Sequence, residues 1–207
     1  MEKTILKIGV TGSAGSGKSL VCRRFKTLGL VTLDCDQIAR EIVEPGQPAY
    51  KEVVALFGER VIGPDGTLDR AGLRKIILAQ PQRRKQLEGI LHPGIIAEMV
   101  RQMETADYTK APACAVEVPL LFELKMEDHF DVTVAVATQD ETLVERIAAR
   151  DKVSPAAAAK MLALQMPQGE KMTRADHVIQ NTGDEDALTA RVDALWQSLK
   201  KQRLTKD

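Results

Sequence analysis

Aromatic side chains are scarce: Phe, Tyr and Trp make up 3% of the 207 residues, which leaves few platforms on which nucleic-acid bases could stack. Charge of one sign is missing as well. Lysine plus arginine number 29 and aspartate plus glutamate 29, so no net charge draws the chain toward a polyanion or an anionic lipid surface. Neither nucleic acid nor a membrane is expected as a partner. No apolar run approaches the roughly 18 residues of a membrane span, and Met1 to Lys7 is too short and too mixed for a secretory signal. The three cysteines, Cys22, Cys35 and Cys114, are odd in number, scattered and without metal-ligand spacing, which suits reduced thiols better than a disulfide framework. Internal repeats are absent. The expectation is a soluble, cytoplasmic protein with one main core and smaller insertions, for which homo-oligomerisation stays open.

What the chain does carry is Gly12-Ser13-Ala14-Gly15-Ser16-Gly17-Lys18-Ser19, a fit to the G-x-x-x-x-G-K-[ST] phosphate-binding loop. It follows an apolar run, Ile5 to Val10, and precedes an amphipathic stretch, Ser19 to Leu28. That order of strand, loop and helix is the context the motif requires. Its glycines let the backbone turn tightly and aim successive N–H groups at phosphate oxygens, and the helix start adds partial positive charge. Lys18 supplies a mobile charge for β- and γ-phosphates, and a hydroxyl such as that of Ser19 is the usual protein ligand for the accompanying Mg²⁺. The expected occupant is a nucleoside triphosphate with Mg²⁺.

Val21, Phe25 and Leu28 recur at helical spacing, Gly29 offers a helix end, and Leu30 to Leu33 is β-prone. A strand, helix and parallel strand imply an α/β fold whose ligands bind at the carboxyl ends of the strands. Asp34 and Asp36 follow the second strand there. A carboxylate at this edge can accept the proton of an attacking hydroxyl or hold water on Mg²⁺, whereas Asp34 reads equally well as a helix cap. From Gln37 to Ala106 strand signals are few, and the stretch reads as a helical insertion that could grip an acceptor. Within it Pro81 separates helices at Ala71 to Ala79 and Gln82 to Leu91, and His92-Pro93 opens another. His92 by itself reads most simply as a cap or core histidine. Strands follow at Ala113 to Val118 and Asp131 to Val136, with Glu117 a weak candidate for the metal side. A helix from Thr138 to Ala149 brings Arg146 and Arg150, and Ser154-Pro155 starts the next, through Gln165. Residues 146–170 are therefore expected as a helical lid with arginines over the triphosphate. His177 to Gln180 is the last strand, Asn181 either reads an adenine edge or makes the turn, and Asp186 to Leu199 closes the chain as a helix. Lys200 to Asp207 is polar and expected to fray. The nucleotide-binding core is accordingly assigned to 1–36, 107–145 and 171–207.

These runs, in this order, resemble the dephospho-coenzyme A kinase family over essentially the whole chain. The matching pieces are Gly12 to Ser19, Asp34-Cys35-Asp36 with Ile38-Ala39-Arg40, Asp65-Gly66 with Leu68-Asp69-Arg70, His92-Pro93, Val118 to Glu123, Arg146, Arg150, Gln165, and Ala175-Asp176 with Asn181. The resemblance implies a P-loop NTPase-like parallel sheet flanked by helices, and transfer of the ATP γ-phosphate to the ribose 3′-hydroxyl of dephospho-coenzyme A with Mg²⁺. It implies Asp36 as the proton-accepting carboxylate, Lys18 and loop amides from Gly12 through Leu20 as phosphate ligands, and Arg146 and Arg150 acting from the lid. Asn181 joins the ATP side, Ser19 the metal, and Arg40, Asp69 and His92 the acceptor side. Two departures from the family pattern stand out: Ser13-Ala14 replaces a frequent Gly-Ile, and Lys160 stands where arginine is usual. A GTPase switch is excluded by the guanine reader, since the sole asparagine, Asn181, is followed by Thr182. A small-molecule kinase for nucleosides or nucleotides would share the core but not the His92-Pro93 and Val118-Pro119 runs.

Overall fold

The apolar run ahead of the phosphate loop forms the central strand of a five-stranded sheet. The computed structural model describes residues 5–204. Strands β1 (Leu6–Thr11), β2 (Val31–Asp34), β3 (Ala113–Glu117), β4 (Val132–Ala137) and β5 (His177–Gln180) lie in the order β2-β3-β1-β4-β5. The ladders joining β1 to β3, β1 to β4 and β4 to β5 are parallel, with Gly9 level with Val116 on one side and Thr133 on the other. Burial of both faces, complete along β3 and from Ile8 to Thr11 in β1, explains why these strands are mostly apolar and β-branched or small. Gly9 is required: a Cβ there would fall 2.7 Å from Leu121 and 2.8 Å from the Phe130 ring. From β1 the chain runs to β2 on one side, and from β3 to β4 on the other. The switch point between β1 and β3 is where such sheets bind ligands, beyond the carboxyl ends of the strands.

The chain divides into two compact units, residues 1–33 with 106–207, and residues 34–105. In the first, α1 (Lys18–Thr27) and α9 (Glu185–Leu204) pack on the sheet through Val21, Cys22 and Phe25 and through Leu188, Val192, Trp196 and Leu199. Helices α6 (Asp140–Asp151), α7 (Pro155–Leu162) and α8 (Gln168–Arg174) complete this unit. Ser154 caps α7 by accepting from the Ala157 N–H, with Pro155 at the first helical position, as the dipeptide predicts. Three local expectations are corrected. Helix α7 stops at Leu162 rather than reaching Gln165, and α8 follows it as a separate short helix that the apolar spacing did not signal. Helix α9 runs on through Leu204, so Lys200 to Leu204 are helical; residues 205–207 lie outside the described residues.

The second unit holds α2 (Cys35–Glu41), α3 (Pro48–Phe57), α4 (Arg70–Ala79) and α5 (Pro81–Thr105) around Val43, Ala49, Val53, Phe57, Val61, Leu68, Leu73 and Leu87. Here α5 corrects the sequence reading most clearly. Pro93 was expected to open a new helix, yet it sits inside one that runs from Pro81 to Thr105. A proline forfeits its own N–H and crowds the carbonyl four residues back. That carbonyl belongs to Gly89, which is exposed and open to water, while Leu87 before the proline and Met99 and Met103 after it are buried along the same helix. Packing on both flanks outweighs the local defect.

Candidate active site

Strand β1 ends at Thr11 and the chain turns through Gly12–Ser19, with Gly12, Gly15 and Gly17 at φ of +148°, +81° and +98°. These conformations favour glycine, and the space around them enforces it. A Cβ on Gly12 would lie 2.3 Å from the Val136 carbonyl oxygen, and one on Gly17 would lie 2.2 Å from Asn181 Nδ2. At Gly15 the tight neighbours are Arg146 Cβ and the Leu143 carbonyl of α6, both at 3.3 Å. The Ser16 N–H donates to the Ser13 carbonyl at 3.1 Å, and Gly17 caps α1. Ser13 and Ser16 are buried. The loop is thus a closed turn ending at a helix N-terminus, where backbone donors collect.

Lys18 is buried, and its Nζ donates to the carbonyls of Gly12 and Ser13, each at 3.1 Å. The ammonium therefore rests within the loop it is expected to serve. Arg146 on α6 donates from its guanidinium to the Gly15 carbonyl at 3.0 Å, which brings a second cation onto the loop. Arg150, one helical turn further along α6, is exposed and forms a two-pronged pair with Asp151 at 2.8 and 3.1 Å. Both arginines belong to the one helix α6.

The Ser19 hydroxyl donates to Glu117 Oε1 at 3.0 Å, and Glu117 ends β3 with 8% of its surface exposed. A hydroxyl and a buried carboxylate at the sheet's switch point form a hard, oxygen-only donor set, the kind that suits Mg²⁺, which keeps several waters and takes few protein ligands. No cluster of three or more His, Cys, Asp or Glu able to hold a metal occurs among the described residues.

Two residues expected on the phosphate side also make contacts within the protein. The Leu20 N–H donates to the Gly17 carbonyl at 3.0 Å, in the first turn of α1. Asn181 is buried; its Nδ2 donates to the Ser16 carbonyl at 2.7 Å, and its own carbonyl accepts from the Thr138 hydroxyl at 2.9 Å. Its carboxamide nitrogen braces the loop from the residue just past β5. Sequence reasoning gave no part to Gln165, whose Oε1 accepts from the Ala14 N–H at 3.0 Å, nor to Gln168, which bonds both the N–H and the carbonyl of Thr138 at 3.0 and 2.7 Å. A glutamine on a turn has no spacing signature, so only its place in the run leading to Ala175-Asp176 could have marked Gln165.

In the second unit, Asp34 is the cap of α2, accepting from the N–H groups of Asp36 and Gln37 at 2.8 and 3.4 Å. Asp36 is exposed in the first turn of that helix. Asp69, expected on the acceptor side, caps α4 by accepting from the Gly72 N–H at 2.9 Å. Arg40 is exposed near the end of α2, and His92 is half-buried within α5.

A parallel sheet carrying a glycine-rich phosphate loop at its switch point, with a lysine and an arginine on that loop, defines the P-loop NTPase-like class. Shikimate kinase from Bacteroides thetaiotaomicron shares this fold, with a TM-score of 0.52 at 15% identity over 95% of this chain and 99% of that one. The family model described as dephospho-CoA kinase matches residues 6–186. The chain is 42% identical over 195 residues to the dephospho-CoA kinase of Moorella thermoacetica, covering 94% of this chain and 92% of that protein. The solved structure of dephospho-CoA kinase from Campylobacter jejuni aligns with a TM-score of 0.72 at 27% identity, over 95% of this chain and 98% of that one. The chain belongs to the dephospho-CoA kinase family, whose members are ATP-dependent kinases.

Proposed function

We propose that this chain moves the γ-phosphoryl group of ATP to the ribose 3′-hydroxyl of dephospho-coenzyme A, with Asp36, Lys18, Arg146 and Arg150 as the residues that carry the transfer. Family membership supports the reaction, and the observation that carries the donor half is the pair of cations, Lys18 and Arg146, held on the loop carbonyls. Phosphoryl transfer asks a protein chiefly to position its reactants and to neutralise charge spread over the equatorial oxygens. The loop amides from Gly12 to Ser19 bind the phosphates. Lys18 exchanges its loop carbonyls for β- and γ-phosphate oxygens, and Arg146 answers charge at the same end. Arg150, exposed on the face of α6 that carries Arg146, swings from Asp151 to the triphosphate. Asp36, two residues past the carboxyl end of β2, accepts the hydroxyl proton, and Arg40 and His92 meet the acceptor.

Ser19, with Glu117 behind it, would hold Mg²⁺. The ion when bound offsets charge on the β- and γ-oxygens. The protein is read as a cytoplasmic enzyme acting on two small molecules. No helix among the described residues is long and apolar enough to cross a membrane.

Purified protein given Mg-ATP and dephospho-coenzyme A should form ADP in step with coenzyme A; faster turnover of nucleosides would refute the acceptor assignment. Asp36→Asn should keep ATP affinity while lowering kcat by roughly a hundredfold or more, the usual share of a general base. Turnover within a few fold of the parent enzyme would remove Asp36 from the proton-accepting role.

A further inference from the structure

The Ala14 N–H is held by a side chain distant in sequence, Gln165, whose Oε1 accepts at 3.0 Å. The carbonyl of the same peptide unit, that of Ser13, carries the Lys18 ammonium at 3.1 Å. Gln165 therefore touches the loop at the end where the motif's lysine rests, and that lysine is the group which reaches β- and γ-phosphates. Because Ala14 offers a donor, the carboxamide must present its oxygen to it.

Gln165 lies on the turn between α7 and α8, where its own N–H donates to the Leu162 carbonyl at the end of α7 at 3.0 Å. The neighbouring residue ties this turn to a second segment. The Met166 N–H donates to Glu123 Oε1 at 3.2 Å, and the same oxygen pairs with Lys171 Nζ at 2.8 Å. Lys171, on α8, is 1% exposed and donates also to the Pro119 carbonyl at 2.7 Å. A buried ion pair of this kind seldom adds net stability over an apolar pair of similar volume, because each charge loses its hydration. Here its geometry has a definite result: it pins Met166, and thereby Gln165, relative to the strand-end segment that follows β3.

We propose that Gln165 is a positioning residue for the phosphate loop and that the buried Lys171–Glu123 pair holds it on Ala14. The inference rests on the reading of this loop as the ATP site. It states that the loop's N-terminal half is set by the α7–α8 turn before nucleotide arrives. A purely structural pair would stabilise the fold and leave the Ala14 N–H and the ATP KM untouched.

The test is amide exchange at Ala14 in nucleotide-free protein, read beside ATP KM and kcat. Gln165→Ala should speed Ala14 exchange about tenfold and raise the ATP KM about three- to tenfold, the range expected for one lost hydrogen bond, with a smaller change in kcat. Gln165→Glu, which keeps the acceptor, should restore slow exchange. Glu123→Asp keeps the negative charge but shortens the carboxylate's reach to Met166, and should move exchange and KM in the same direction as Gln165→Ala. The paired variant K171M/E123L removes both charges and the acceptor for the Met166 N–H, and adding Gln165→Ala to it should have little further effect. Unchanged Ala14 exchange in Gln165→Ala, or in Glu123→Asp, overturns the proposal. Exchange is measured without substrates, so a parent enzyme that formed no coenzyme A would refute the function assigned above and still leave this contact decided.

Discussion

At Gly17 the place a side chain would take is filled by Asn181. With φ at +98° and Asn181 Nδ2 at 2.2 Å from where a Cβ would sit, Gly17 admits no side chain. The asparagine fills that space and satisfies the Ser16 carbonyl. Asn181→Asp replaces a donor with a buried carboxylate facing a carbonyl oxygen and should cost about 2 kcal/mol or more of stability. Urea unfolding would measure it, and a loss below about 0.5 kcal/mol would refute the bracing role. The glycines and Lys18 were legible from the motif because each answers a constraint within one turn. Asn181 was legible only as a residue at a strand end, since the choice between a base and a loop carbonyl is made by backbone nearly the whole chain away. Asp34 and Asp69 show the same ambiguity from the other side. Asp34 reads equally well as a cap or as chemistry, Asp69 is placed on the acceptor side by the family resemblance, and both carboxylates cap helices.

At the scale of elements, strands were the easy part, because buried parallel strands are short apolar runs with turn residues on either side. Helix ends were harder. Pro93 is a strong breaker in any local reading, and the continuous α5 follows only from apolar residues packing on both sides of it. Pro93→Ala should restore one backbone hydrogen bond to Gly89 and raise stability, by about 1 to 3 kcal/mol. Thermal unfolding would check it; an unchanged or lower midpoint would mean that the helix draws on the proline in its present geometry. Helix α8 escaped notice for a different reason. It has 7 residues, begins after Pro167, and is fixed by Lys171 and Gln168 rather than by an apolar stripe.

Each of the two units contains a carboxylate whose acidity reports on its fold. Burial pushes Asp176 upward, but donation from the Thr133 N–H and hydroxyl, with His177 nearby, carries it below the usual range. Glu98, bonded by Arg101 and Gln102, is lowered to about 2. A carboxylate depressed in the folded state contributes stability that is present above its unfolded pKa and is lost as pH falls through the folded one. Acid should therefore loosen both units, with the Glu98 contribution fading from about pH 4.5 down to about 2. Titrating the two side chains by NMR checks the direction, and Glu98→Gln should flatten this part of the acid limb; midpoints at or above ordinary carboxylate values would contradict it.

Gly9 bears on how the loop performs. The strand beneath the phosphate loop is paired on both edges and pressed by Leu121 and Phe130 where its glycine leaves no gap. Such a mounting has little compliance, so the conformational entropy of the loop is surrendered during folding rather than on nucleotide binding. Binding free energy that a floppier loop would lose in becoming ordered stays with the contacts to phosphate.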